Sequence, residues 1–173
     1  MNPQRQCRSR VRAGLNVEFR KASVYELPFE DHSFDAAFSH AQLEHLVEPG
    51  AALVELRRVL KPGGWIGVRA GDMGGILVDA ASEVPAQALA GYIAAQQKDP
   101  NVGRKLARLL RGAGFSVHKM TASYEVLTET LRKIGPSLAQ QFGAPAVCNV
   151  ADRGVAGSLF VAIAWCEATA QVA

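Results

Sequence analysis

Cys7, Cys148 and Cys166 are the only cysteines, widely spaced and odd in number, which leaves neither a disulfide scaffold nor a cysteine-based zinc cluster. His32, His40, His45 and His118 lack the HExxH spacing of a helical metal site, so no metal is expected. No stretch approaches the roughly 18 consecutive apolar residues that a membrane span needs. Internal repeats, a domain linker and low-complexity tracts are missing too. The scarcity of cysteine makes a reducing, cytoplasmic setting the default expectation. No acid precedes Glu18, whereas Arg5, Arg8, Arg10 and Arg12 do. That asymmetry could serve a nucleic-acid arm or a targeting peptide, but the segment has few large apolar residues and no secretory core. We read residues 1–15 as the remnant of a surface helix or as a basic arm, with nucleic acid not favoured as a partner. The formal charge of +3 names no partner.

What is present is a chain of 173 residues, 49% hydrophobic, enough for one domain with its own core. Strand and helix patterns alternate. Asn16 to Arg20 suits a short strand near a sheet edge, and Phe34 to Ser39 a buried strand. Pro49 and Gly50 open a helix with Leu53, Leu56 and Leu60 on one face. "KPGGW" ends it, and Trp65 to Val68 follows as another buried strand. This βαβ order predicts an α/β fold with a mainly parallel sheet. "GDMGG", Gly71 to Gly75, reads as a flexible loop. Helices are expected over Ala80 to Gln97, Asn101 to Ala113 and Tyr124 to Ile134, with a further short one over Pro136 to Phe142. Gly143 to Gly157 reads as loop. Phe115 to Met120 and Leu159 to Trp165 complete the strands. Chemistry in open α/β sheets gathers beyond the carboxyl ends of strands, where Ser39 and His40 fall.

"NVEFRKASVYELPFEDHSFDAAFSHAQLEHL" followed by "ALVELRRVLKPGGWIGV" resembles the part of a class I S-adenosylmethionine-dependent methyltransferase that follows its glycine loop. The nearest flavour is the ubiquinone and menaquinone C-methyltransferase group. The likeness continues through "DPNVGRKLARLLRGAGF" to "WCEA", covering most of Val17 to Ala168. It implies an incomplete Rossmann-like methyltransferase fold in a single N-terminally truncated domain, 1–173, lacking the first two strands and the glycine-rich loop.

The resemblance carries site residues over one at a time. Ser23 and Val24 of "KASV" stand where the family has the Asp that binds the adenine amino group and its successor. A Ser hydroxyl accepts such a bond without the strength of a charged carboxylate. Ser39 and His40 match the residues flanking the methionine portion of the cofactor, with the plain end of a strand as the favoured alternative reading of His40. Glu44 and His45 match an "EH" pair and read as a surface or packing pair, since adjacent helix positions face different ways. Arg69, Asp72, Met73 and Tyr124 correspond to the acceptor pocket, each with a bland alternative as loop, gap filler or core residue. Trp165 and Cys166 are expected to pack.

The resemblance thus implies S-adenosylmethionine as cofactor, with weak or absent binding expected in this chain, and a small-molecule acceptor. A degenerate fold that binds without transferring methyl groups, or a non-methylating enzyme, is the alternative. The family's strand order, 3-2-1-4-5-7-6, leaves the Phe34 to Ser39 strand with an open edge. That edge favours pairing, so a homodimer is expected, with exchange of N-terminal segments as one way to build it.

Overall fold

The computed structural model describes residues 18–80, 86–126 and 159–173. Strand β1, Phe34–His40, is followed by a single 3-10 turn at Leu43–His45 and helix α1, Pro49–Val59. Strand β2 spans Leu60–Ala80; α2, Ala86–Ala95, and α3, Val102–Gly112, come next. Strands β3, Phe115–Val126, and β4, Leu159–Val172, complete the set. The sheet order is β1-β2-β4-β3. It corresponds to the 4-5-7-6 half of the order expected from the sequence.

The fold is α/β and Rossmann-like, with a qualification on direction. β1 and β2 pair in parallel, while β4 lies antiparallel to both β2 and β3. The helical crossover between β1 and β2 enforces the parallel pair. One reversed strand inserted between β2 and β3 makes both of its own ladders antiparallel, so the described sheet is less parallel than the βαβ pattern predicts.

α1 begins with Pro49 at its first turn, where a missing N–H costs nothing. Arg57 and Arg58 in its last turn face the negative end of the helix dipole. The helix ends at Val59, before Pro62, because Leu60 is already extended at φ −81°, ψ 140°. Gly63 then takes φ +74°, and a Cβ on Gly64 would stand 2.8 Å from the Lys61 carbonyl oxygen, which explains the glycine pair. Along β2, Ile66, Val68 and Ala70 are buried against α1 and α3. They share that core with Leu53, Leu60, Leu106, Leu110, Phe115, Ala168 and Ala170. Burying each large side chain contributes roughly 1.5–3 kcal/mol.

Several expectations change. Glu18 to Arg20 are exposed and form no strand, because none of the described strands pairs with them; residues 16 and 17 lie outside the described residues. Trp65 alternates to the opposite face from Ile66 and is 44% exposed, stacked 4.8 Å from His118. Gly71, Asp72 and Met73 are buried rather than part of a flexible loop. Here β2 bulges away from β4, whose pairing jumps from Asp72↔Ala164 to Leu77↔Ala162. Ala80 belongs to β2, and the following helix starts at Ala86. Tyr124 to Val126 continue β3 instead of opening a helix, since the β4 ladder extends as far as Val126. The helices expected over 127–134 and 136–142 and the loop over 143–157 lie outside the described residues.

Candidate functional site

β1 turns out of the sheet at Ala41, whose φ of 52° is unusual for a residue with a Cβ. Its amide donates to the Arg69 carbonyl at 3.0 Å, which locks the carboxyl ends of β1 and β2 together. Strained backbone of this kind costs on the order of 1 kcal/mol or more and survives only where its surroundings fix it.

Ser39, His40, Arg69, Asp72 and Met73 meet at these strand ends. Ser39 is buried and its hydroxyl faces the Gln42 amide oxygen at 3.4 Å. Arg69 is the hub of the exposed side. Its guanidinium donates to Glu167 at 3.0 Å, to Glu125 at 2.7 Å and to His40 Nε2 at 2.9 Å, and lies 4.1 Å above the Trp165 ring. A guanidinium can only donate, so His40 Nε2 accepts and the imidazole proton sits on Nδ1. Asp72 faces inward. One carboxylate oxygen accepts from the Arg104 amide at 2.9 Å and from its Nε at 2.7 Å, and the other from Nη2 at 2.7 Å. A residue of β2 thereby caps α3, whose own Asn101 makes no side-chain cap bond. Both Asp72 oxygens are spent on that helix rather than turned toward an acceptor.

Tyr124 lies on the same rung as Asp72 with Ala164 between them, and is 57% exposed. Burial pushes the Cys166 thiol upward, with the Asp72 charge adding to it, so the thiol stays protonated near neutral pH. Ser23 is apart from this group. Its hydroxyl accepts the Tyr25 amide at 3.2 Å within a local turn that also pairs Ser23 with Glu26. The Tyr25 hydroxyl accepts from the Glu48 amide and ties that turn, with Val24 in it, to the start of α1.

Sequence reasoning passed over Glu125 and Glu167 as members of this end of the sheet, and read Glu44 and Trp165 only as surface or packing residues. Glu125 and Glu167 lie on strands whose register no local pattern gives. Glu44 is only 1% exposed, whereas His45 beside it is exposed. The opposite orientation of adjacent helical positions was legible; which of the two faced inward was not.

On the face of the sheet away from α1 and α3, Phe38, Gly67, Arg69, Lys119, Thr121 and Glu167 line a shallow groove of about 270 Å³. Phe38 is 73% exposed, and its ring edge reaches within 3.0 Å of where a Cβ on Gly67 would stand.

The described residues fit S-adenosylmethionine only in part. Ser39 and His40 lie at the carboxyl end of β1, where the resemblance expects the methionine portion of the cofactor. Ser23 is engaged in its own turn.

Residues 2–68 match the family model described as a methyltransferase domain. An uncharacterized methyltransferase of Schizosaccharomyces pombe is 50% identical over 58 residues, 34% of this chain and 21% of that one. The demethylmenaquinone methyltransferase of Clavibacter sepedonicus is 49% identical over 59 residues, 34% of this chain and 24% of that one. The matches therefore span about a quarter of those relatives' length. The crystal structure of a candidate methyltransferase from Bacillus halodurans superposes with a TM-score of 0.59 at 14% identity, over 90% of this chain and 77% of that one. At that identity the likeness speaks for the fold, and it agrees with the β1-β2-β4-β3 order. Among the described residues no helix is long and apolar enough to cross a membrane. The sheet order and the matched domain agree on what the chain resembles: residues 2–68 are similar to a methyltransferase domain, and the described sheet has the Rossmann-like fold of class I methyltransferases.

Proposed function

We propose that this chain supplies the acceptor side of an S-adenosylmethionine-dependent methyltransferase acting on a small molecule. The observation that carries this reading is the convergence of Ser39, His40, Arg69 and Met73 at the carboxyl ends of β1 and β2, the end where open α/β sheets bind ligands. The names of the relatives, a quinone-precursor methyltransferase among them, support a small-molecule acceptor. Methyl transfer from a sulfonium requires alignment above all, and a rigid strand-end platform provides that. A reducing cytoplasmic setting suits the protonated Cys166 thiol.

By this reading the chain on its own binds S-adenosylmethionine weakly. Two strand-end contacts leave the ribose hydroxyls and the adenine amino group without partners, and unpaired polar groups offset affinity gained elsewhere. Calorimetric titration of the purified chain is expected to give little or no heat at micromolar cofactor. A low-micromolar dissociation constant with stoichiometry near one would show that the chain recognises the cofactor unaided.

A second copy of the chain is the proposed partner. β1 is an edge strand among the described residues, with Phe34 and Phe38 exposed along it. Pairing two such edges satisfies their free backbone groups and covers the aromatic rings.

A further inference from the structure

Arg69 is fastened from several sides before it reaches His40. Its Nε donates to Glu167 of β4 at 3.0 Å, its Nη2 to Glu125 of β3 at 2.7 Å, and its Cζ lies 4.1 Å from the Trp165 ring centroid. Two carboxylates from different strands and an aromatic face suit a planar guanidinium, whose rigid fork loses little freedom with each further bond. Its Nη1 is then held 2.9 Å from His40 Nε2. An imidazole that accepts at Nε2 carries its proton on Nδ1. Among the described residues nothing accepts from that Nδ1–H. The ring is exposed, with the Phe38 centroid 6.3 Å and the Trp165 centroid 5.6 Å away. A general base needs a free lone pair within reach of the proton it takes. The lone pair of Nε2 is engaged by Arg69, and Nδ1 bears hydrogen, so His40 has none to offer.

We infer that His40 is a specificity-determining hydrogen-bond donor, positioned by Arg69, that selects the methyl acceptor by an oxygen and does not serve as its base. The inference rests on the reading that this end of the sheet takes the methyl acceptor, and it names the acceptor's class. That class is a carbonyl compound with a flat apolar body, its oxygen meeting Nδ1–H and its body lying against the neighbouring aromatic rings. A protonated amine would set donor against donor at Nδ1. The methyl-accepting atom holds a free electron pair before it binds, since His40 removes no proton from it.

Long-range proton–nitrogen spectra of the isotope-labelled full chain report which ring nitrogen of each histidine carries hydrogen. At pH 8, where histidine is ordinarily neutral, His40 is expected in the Nδ1–H form, its signal assigned by its loss in His40→Gln. Arg69→Met is expected to return it to the Nε2–H form that free histidine favours. His32 is the internal control: its Nδ1 donates to the Leu60 carbonyl at 3.0 Å, and its signal should stay in place throughout. Should Arg69→Met not fold, Glu125→Gln combined with Glu167→Gln keeps the guanidinium but removes its charged braces, and a mixture of the two forms is expected. Acetophenone, a carbonyl acceptor without a donor, is titrated into the parent beside 1-phenylethylamine, which is cationic at that pH. The His40 Nδ1 resonance is expected to shift saturably with the ketone and to ignore the amine. An Nε2–H form in the parent, an Nδ1–H form that survives Arg69→Met or, in its stead, the double variant, or a His40 signal indifferent to acetophenone or moved equally by both probes, would overturn the inference. None of these measurements uses the cofactor, so the donor role can stand where cofactor binding fails, and this site and the methyl-transfer reading are judged separately.

Discussion

The contact between Arg58 of α1 and the turn before β1 offers the sharpest test of how this fold is held. Arg58 Nε and Nη2 grip both oxygens of Glu55 at 2.9 and 2.8 Å. The same guanidinium donates to the Leu27 carbonyl at 3.1 Å, the Phe29 carbonyl at 2.9 Å and Asp31 at 2.6 Å. Glu55 in turn accepts the Leu27 amide at 2.7 Å. The segment "LPFED" is thus pinned to the helix by one Glu and one Arg a single turn apart. Arg58, and secondarily the Leu27 amide, hold the Glu55 carboxyl at about 2 instead of its ordinary 4.5. A displacement of that size corresponds to about 3 kcal/mol at most. The Arg58 side chain is 33% exposed, so solvent screening reduces the figure to roughly 2 kcal/mol. Glu55→Gln should therefore lower the melting temperature at pH 7 by roughly 4–8 °C. The folded carboxyl titrates below the unfolded one, so its stabilisation is complete above about pH 4.5 and vanishes as the pH falls through about 2. Thermal melts followed by circular dichroism across that range should show parent and variant converging toward acid. A Glu55→Gln protein that melts with the parent at pH 7, or that keeps the parent's full acid dependence between those values, would refute the clamp.

Gly103→Ala should destabilise the protein by about 1–3 kcal/mol, read as a lower denaturation midpoint. The new methyl would meet Asp72 Cβ at 2.9 Å and the Asp72 amide nitrogen at 3.1 Å, and so lever α3 away from β2. If two copies pair through β1 as proposed, Phe38→Asp should lower the mass seen by light scattering across a dilution series toward that of the monomer while leaving the melting profile of the monomer intact, because that ring is 73% exposed. A parent protein that is monomeric at every concentration would remove the edge-pairing proposal.

Local sequence determined the elements whose causes are local. Pro49 opened α1, Leu53 and Leu56 gave it an inward face, and the glycines of "KPGG" marked a turn that φ +74° at Gly63 requires; Leu60, expected on that helix face, instead starts β2 in extended backbone. Gly114, at φ +84°, ended α3 in the same way. Ordered motifs then pointed to the family, and through it to Ser39, His40 and Arg69 at the strand ends. Other features depended on the register between strands distant in sequence. Only the β2–β4 and β3–β4 ladders set Glu167 and Glu125 within reach of Arg69 and carried β3 on through Tyr124. Asp72 looked like a loop carboxylate until α3 packed its amino end against it and took both oxygens. Glu44 is the clearest case. Its sequence neighbourhood marks an exposed "EH" pair as readily as a buried one, and only the seating of the 3-10 turn beneath Lys98 and Asp99 drove its carboxylate into the interior beside Gly71. A one-dimensional pattern records which side chains share a face of one element; which faces meet, and which polar atoms are left unpaired where they do, is decided by the packing of elements far apart in the chain.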